Sequence, residues 1–120
     1  MSLQKRCENI VAVIIDEFSM ISGREYFFVD SRLQQGYNNA LPFGGIPIAW
    51  VGDRGQIPPV GGLSSWSNTT SKNIPISGTS LSGHLSYMRI KTVMKLTDVV
   101  RQNGPYMQLL LRLRERLVQD

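Results

Sequence analysis

The sequence predicts an α/β fold with a parallel sheet, and three observations support this. Two short apolar runs, residues 10–15 and 46–51, have the length and β-branched content of buried strands. A helical pattern of apolar residues lies between them, and polar residues follow each run directly. Because alternating strands and helices are typical of parallel sheets, we expect a right-handed crossover from the first strand to the second.

The first strand and helix follow from local sequence signals. Residues 10–15 form a continuous apolar run, which is typical of a strand buried on both faces. Ser22 and Glu25 have the spacing of a capping box, and apolar side chains then recur at near-helical spacing as far as Gly36. We therefore predict strand one over residues 10–15 and then a helix of about four turns.

The elements that follow this helix are predicted from less regular sequence patterns. Pro47 places the start of strand two near the beginning of residues 46–51, because proline cannot donate to a ladder. Residues 61–86 are rich in Ser, Thr, Asn and Gly and predict a long surface excursion. Residues 92–96 predict a third strand, and Pro105 predicts the first turn of an amphipathic C-terminal helix.

The composition excludes several classes of protein. The 120 residues are 42% hydrophobic and 18% charged, which excludes a disordered, collagen-like or coiled-coil chain. Cys7 and His84 are the single cysteine and histidine, which excludes a disulfide scaffold and a zinc finger. No apolar run approaches the roughly 20 residues of a membrane span, and no secretory signal is visible, so we expect an intracellular protein with no membrane partner.

The net charge of +4 is compatible with a polyanionic partner but does not require one. Basic residues concentrate at Arg112, Arg114 and Arg116. We interpret these three as the solvated face of the C-terminal helix.

Acidic residues stand where a parallel sheet binds ligands, at the carboxyl ends of its strands. Asp16 and Glu17 follow strand one, and Asp53 and Gln56 follow strand two. One carboxylate of such a pair can hold a hard cation beside a phosphate while the second handles a water proton. Capping of the following helix is the alternative, but the acids lie several residues before Ser22.

Several segments, in this order and spacing, carry a resemblance to a known family. They are residues 13–22 (VIIDEFSMIS), 32–33 (RL), 42–47 (PFGGIP), 51–60 (VGDRGQIPPV), 95–102 (KLTDVVRQ) and 110–114 (LLRLR). Together they closely resemble the PIF-type DNA helicases, including those carried by Helitron transposons. The resemblance covers most of the chain and leaves residues 61–86 unmatched.

The resemblance implies a partial RecA-like fold of the P-loop NTPase class, with a parallel sheet flanked by helices. Residues 1–120 correspond to the C-terminal part of the first motor domain, covering motifs II to IV. No Gly-Lys-Ser/Thr occurs in the sequence, so the P-loop portion is lacking. We therefore expect the 120 residues alone to be inactive.

The resemblance also implies a role for each matching residue in ATP hydrolysis. Asp16 of the Walker B motif helps hold Mg²⁺, and Glu17 activates the attacking water. Gln56 of motif III senses the γ-phosphate and couples it to the DNA-binding surface. Arg101 of motif IV neutralises charge on the transferring phosphoryl group, and Asp53 is expected to brace the acids.

The implied function is ATP-dependent DNA unwinding in repair, recombination, telomere maintenance or transposition. The implied partners are ATP, single-stranded or forked DNA and the remainder of the helicase chain. The implied location is the nucleus or mitochondrion of a eukaryote or the cytoplasm of a bacterium.

Two other functions stay open at this point. The chain could be a non-catalytic remnant that serves as an interaction or nucleic-acid-binding module. It could also be a metal hydrolase that uses Asp16, Glu17 and Asp53, although this leaves Gln56 and Arg101 unexplained.

The aromatic residues have different expected uses. Trp50 lies within an apolar run and is expected in the core. Trp66 and Tyr87, in or beside the polar excursion, are better candidates for stacking on nucleic-acid bases. Gly44 and Gly45 are expected to serve turn geometry. No partner or role is visible for the single histidine.

Overall fold

The computed structural model describes residues 2–70, 72–98, 100 and 104–118, with side chains up to residue 115 in the last helix. The chain forms two units, Met1–Ile90 and Lys91–Asp120. The first unit contains helices α1 (Leu3–Cys7), α2 (Gly23–Tyr37) and α3 (Gly78–Met88), strands β1 (Val13–Ile15) and β2 (Ile48–Trp50), and 3-10 turns at Phe18–Met20 and Pro42–Gly45. The second unit contains helix α4 (Pro105–Val118).

Strands β1 and β2 pair in parallel, as predicted, with Ile14 opposite Ala49 in the register. Each strand spans three residues and is shorter than its apolar run. The prediction that strand one is buried on both faces is wrong, because Ile14 is 73% exposed. Within the described residues, α2 covers the face of the sheet that carries Trp50, through the Tyr26 ring stacked on it.

Helix α2 begins and ends as the sequence predicts. The Ser22 hydroxyl accepts the Glu25 backbone N–H at 3.3 Å, and the Glu25 carboxylate accepts the Ser22 backbone N–H at 2.7 Å. This reciprocal pair is the predicted capping box. The helix ends at Asn38 with a φ of 47°, a left-handed conformation that asparagine tolerates.

Helix α3 corrects the prediction that residues 61–86 form an excursion without regular structure, since Gly78–Met88 is helical. Helices α2 and α3 approach each other at glycines: a Cβ placed on Gly83 would overlap the carbonyl oxygen of Gly23. The contact therefore uses close backbone approach in place of a broad apolar stripe. A pattern of apolar spacing does not reveal a helix of this kind.

The predicted third strand at residues 92–96 is also wrong. Among the described residues this segment has no strand pairing, and Val93, Met94 and Leu96 are all largely exposed. A strand needs a neighbour to pair its backbone groups, and apolar alternation alone does not supply one.

Helix α4 starts at Pro105, which confirms the prediction of a proline in the first turn. Its apolar residues Tyr106, Leu109 and Leu113 are exposed. No helix in the described part of the chain is long and apolar enough to cross a membrane.

A buried carboxylate joins three elements of the first unit. Asp30 of α2 is 6% exposed, and its Oδ1 accepts the Phe43 backbone N–H at 2.7 Å and the Gln34 amide at 2.9 Å. Its Oδ2 accepts the Ser86 hydroxyl of α3 at 2.8 Å. Asp30 thereby ties α2 to the turn before β2 and to α3.

The aromatic core lies between α2 and β2. Tyr26 is fully buried and stacks on Trp50, with ring centroids 3.8 Å apart, and Phe43 meets Tyr26 edge-on at 6.1 Å. This confirms the prediction that Trp50 belongs to the core. The Tyr26 hydroxyl and the Trp50 indole N–H are buried, and neither has a hydrogen-bond partner among the described residues.

We expect Asp30→Ala to lower the free energy of unfolding by about 3 kcal/mol, because it leaves the buried Phe43 N–H and Ser86 hydroxyl without their acceptor. Asp30→Asn keeps one acceptor oxygen, so its loss should be smaller. Asp98→Ala, at an exposed carboxylate, is the matched control and should change stability by less than about 0.5 kcal/mol. Urea unfolding measures the free energy of unfolding of all three variants. Equal losses of stability in Asp30→Ala and Asp98→Ala would contradict the role of Asp30.

We expect Tyr26→Phe to stabilise the fold by about 1 kcal/mol at pH 7, because it removes a buried hydroxyl that has no hydrogen-bond partner in the described part of the chain. Burial, and secondarily Tyr87, raises the pKa of Tyr26 above its ordinary value. The unfolded chain therefore ionises first, and the wild type should lose about 1.4 kcal/mol per pH unit above about pH 10. This slope should be shallower in Tyr26→Phe than in the wild type and unchanged in Tyr106→Phe. Urea unfolding from pH 7 to pH 11 tests it, and parallel curves for wild type and Tyr26→Phe would contradict it.

Candidate active site

The acid pair Asp16 and Glu17 lies in a bulge at the carboxyl end of β1. Val51 donates its backbone N–H to the Ile15 carbonyl at 2.8 Å and accepts the Phe18 N–H at 3.1 Å. A regular parallel ladder places one residue between two such partners, whereas here there are two. The extra residue pushes the chain out of the ladder, and bulges of this kind re-aim side chains beside active sites.

The backbone of Glu17 adopts the unusual conformation that accompanies the bulge. Its φ of 52° and ψ of 44° are left-handed, which is uncommon for a residue other than glycine. The Glu17 N–H donates to Oδ1 of Asp16 at 2.8 Å, and its carbonyl accepts the Met20 N–H at 3.0 Å. Both acidic side chains are exposed. A non-glycine residue held in this region costs of order 1–3 kcal/mol, and such strain often accompanies function.

Gly52 packs directly against the bulge. Its φ is 148°, and a Cβ at this position would lie 2.9 Å from the Phe18 backbone nitrogen and 3.3 Å from the Glu17 Cα. Only glycine suits both the positive φ and the close approach. The end of β2 is therefore shaped to fit the acid-bearing bulge of β1.

Residues 53–56 form a hydrogen-bonded turn immediately after Gly52. The Gln56 N–H donates to the Asp53 carbonyl at 3.0 Å, and the Gly55 N–H donates to Oδ1 of Asp53 at 3.0 Å. The side-chain bond adds an Asx turn to the backbone turn. Gln56 itself is exposed.

The structure brings the ends of the two strands together at one edge of the sheet, as predicted. Asp16 and Glu17 follow β1, and the turn that carries Gln56 follows β2, with Val51 bonded on both sides of the acids. The role of Asp53 in bracing the acids stays a prediction. Arg101 lies outside the described residues.

The side chains at the acid pair indicate which kind of metal ion could bind there. In the described part of the chain, no three His, Cys, Asp or Glu side chains group closely enough to hold a metal ion. Mg²⁺ usually takes one or two protein carboxylates and completes its shell with phosphates and water. The exposed pair Asp16 and Glu17 suits that ion better than it suits a site built entirely from protein ligands.

An aromatic cluster next to the acids was not predicted from the sequence. Phe18, directly after Glu17, meets Trp66 edge-on at 5.8 Å and stacks near Tyr87 at 6.4 Å. The Arg54 guanidinium lies 5.1 Å from the Trp66 ring centroid. Contacts between residues so distant in sequence leave no local pattern that could reveal them.

His84 has a partner that the sequence did not reveal. Its Nδ1 lies 2.9 Å from the Ser65 carbonyl oxygen. The glycines before β2 behave as predicted, since Gly44 and Gly45 both have positive φ in a turn.

The parallel α/β sheet with an acid pair after one strand and a glycine-initiated polar turn after the next matches part of a RecA-like domain of the P-loop NTPase class. The model of the PIF1-like helicase family matches residues 1–114. The chain therefore belongs to the PIF1-like helicase family.

Curated relatives match about half of the chain. The ATP-dependent DNA helicase Pif1 of Bdellovibrio bacteriovorus is 40% identical over 58 residues, covering 48% of this chain and 13% of the relative. The helicase of the same name from a Psychrobacter species is 39% identical over 59 residues, covering 49% of this chain and 9% of the relative. The helicase PIF1 of Saccharomyces cerevisiae is 39% identical over 56 residues, covering 47% of this chain and 6% of the relative.

Solved structures match nearly the whole chain. The Pif1 helicase from Bacteroides in complex with ADP-AlF3 and ssDNA matches with a TM-score of 0.69 and 25% identity, over 95% of this chain and 26% of that one. A second structure, Bacteroides Pif1 bound to ssDNA, matches with a TM-score of 0.64 and 22% identity over the same shares. The chain thus spans about a quarter of the length of these solved proteins.

We expect Gly52→Ala to lower the free energy of unfolding by about 3 kcal/mol, because a methyl group there combines positive φ with a clash against the bulge. Gly61→Ala is the matched control: its φ is 70°, and a Cβ there meets no atom within 4 Å. It should lose only about 1 kcal/mol, the cost of positive φ alone. Chemical unfolding compares the two, and equal losses would show that Gly52 does not shape the bulge.

Proposed function

We propose that the chain forms the part of an ATP-dependent DNA helicase that carries motifs II to IV. The single observation that carries this proposal is the adjacency of the acid bulge after β1 and the Gln56 turn after β2, with Val51 bonded on both sides of the acids. Membership of the PIF1-like helicase family supports the same function.

The proposed chemistry is phosphoryl transfer from ATP to water. This reaction needs a metal ion, a positioned water and a cation near the transferring group, and needs little covalent chemistry from the protein. Asp16 would help to hold the ion, Glu17 would accept the proton of the attacking water, and Gln56 would sense the γ-phosphate. Arg101 would neutralise developing charge on the transferring group.

The acid pair fits a nucleotide-bound Mg²⁺. Both acids are exposed at the sheet edge, and Asp16 orients the loop by accepting the Glu17 N–H. Bound Mg²⁺ would neutralise charge on the phosphates. The left-handed backbone of Glu17 supports its assignment as the residue that activates the water, since backbone strain of this kind often accompanies function.

The proposed nucleic-acid partner is single-stranded or forked DNA. Support comes from the net charge of +4 and from the two similar Bacteroides Pif1 structures, both of which contain ssDNA. Repair, recombination, telomere maintenance and transposition are the proposed settings for such a motor.

We further propose that the 120 residues alone do not hydrolyse ATP. Phosphate binding in this class uses a glycine-rich turn with a lysine, and no Gly-Lys-Ser/Thr occurs in this sequence. The remainder of a helicase chain would supply that turn.

Mutation of the proposed general base tests the function. In the protein as it is made in the cell, we expect ATP turnover that single-stranded DNA stimulates. Glu17→Gln should lower kcat by at least about 100-fold, because the amide cannot accept the proton of water. Glu8→Gln, at an exposed carboxylate of the N-terminal segment, is the matched control and should leave kcat unchanged.

Two outcomes would contradict the proposal. DNA binding without any ATP turnover would favour the non-catalytic module. Turnover by the isolated 120 residues that Glu17→Gln abolishes would contradict their proposed inactivity.

A further inference from the structure

Trp66 lies between the two segments that carry the proposed catalytic groups. One contact is with Phe18, the residue after Glu17, whose ring meets it edge-on at 5.8 Å. The other is with Arg54, whose guanidinium lies 5.1 Å from its ring centroid. The half-buried Trp66 side chain therefore touches the acid bulge and the turn after β2 at the same time.

The loop that carries Trp66 is fastened to helices α2 and α3 by the three residues just before the tryptophan. The Leu63 carbonyl accepts the Gly23 N–H of α2 at 3.0 Å, and Ser64 pairs with Ser22 as an antiparallel bridge. The Ser65 carbonyl contacts Nδ1 of His84 in α3 at 2.9 Å. Trp66 therefore directly follows a segment that is held by α2 and α3, two elements outside the sheet.

Arg54 and Gln56 belong to the same short turn. The Gln56 N–H bonds to the Asp53 carbonyl, and the Gly55 N–H bonds to the Asp53 side chain. Because these two hydrogen bonds close the turn, we expect a displacement of the Arg54 backbone to displace Gln56 with it. Attraction between a guanidinium and an indole face is among the stronger cation–π contacts.

We propose that Trp66 and Arg54 are positioning residues that hold the Gln56 turn in place relative to Glu17. This inference rests on the proposed ATP hydrolysis. Trp66 acts through Arg54 on Gln56 and through Phe18 on the acid bulge, and it touches no reacting atom. Small displacements of catalytic groups lower the rate of the chemical step more than they weaken substrate binding.

Base stacking by Trp66 is the competing use. The Arg54 guanidinium lies over the ring and the Phe18 ring meets it edge-on. Stacking of a DNA base would have to displace Arg54, so the structure favours the positioning role. The two uses differ in which kinetic constant changes.

The test is steady-state ATP turnover with single-stranded DNA, in the protein as it is made in the cell. Arg54→Met removes the charge and keeps the length, and Trp66→Ala removes the ring. We expect each to lower kcat about tenfold, with the KM for ATP changed by less than about twofold. The conservative variants Arg54→Lys and Trp66→Phe should recover most of the lost kcat.

The chain offers a matched control on α2. The Arg24 guanidinium lies 5.6 Å from the Phe28 ring centroid, a contact of the same kind made by an exposed arginine within one helix. Arg24→Met removes it without touching the sheet edge, and we expect wild-type kcat and KM.

The outcomes separate this inference from the proposed function. A wild-type protein without ATP turnover would refute the proposed function. An active wild type whose kcat is unaffected by Arg54→Met and Trp66→Ala would refute only the positioning role, as would an equal loss in Arg24→Met. A Trp66→Ala protein with unchanged kcat that needs more DNA for half-maximal stimulation would establish base stacking instead.

Discussion

The first unit depends on one buried carboxylate. Asp30 accepts hydrogen bonds from the turn before β2, from its own helix and from α3, and these bonds satisfy polar groups that would otherwise be buried without partners. Hydrogen bonds to a charged acceptor are stronger than neutral ones, and deleting the acceptor leaves every donor unpaired. Because β2 follows the turn at Phe43, the place of the sheet relative to both helices rests on this side chain. The aromatic stack of Tyr26 and Trp50 then fills the space that Asp30 defines.

The candidate site depends on a second constraint, the fit between the ends of the two strands. Val51 bonds on both sides of the acid pair, and Gly52 leaves room for the backbone of the bulge. Metal binding and water activation are proposed for neighbouring residues, Asp16 and Glu17, which in a regular strand would point to opposite faces. The bulge at Asp16 and Glu17 interrupts this regular alternation of side-chain directions. The turn after Gly52 is thereby placed close to the acids by main-chain geometry, and its Arg54 contacts the Trp66 ring.

Sequence patterns predicted the parts of the fold that are encoded locally. The apolar runs of both strands, the capping box at Ser22 and the proline that starts α4 all lie within a few residues of the structure they specify. Helix α3 was missed because its contact with α2 uses Gly23 and Gly83, which contribute no apolar side chain to a periodic pattern. The segment around Val93 has strand-like residues but no pairing neighbour among the described residues. At the site, the order of the acids and of the Gln56 turn was predictable, whereas the left-handed backbone of Glu17 and the contact between Arg54 and Trp66 arise from tertiary packing.

The backbone conformation of Glu17 has a consequence for protein engineering. At most positions glycine is the less stable choice, but at a left-handed position a glycine relieves strain. A screen that selected variants of this chain for heat resistance alone would therefore favour Glu17→Gly and remove the carboxylate proposed to activate water. Thermostabilised versions of this chain should accordingly be sought at sites such as Tyr26, whose buried hydroxyl has no hydrogen-bond partner among the described residues and lies outside the acid pair.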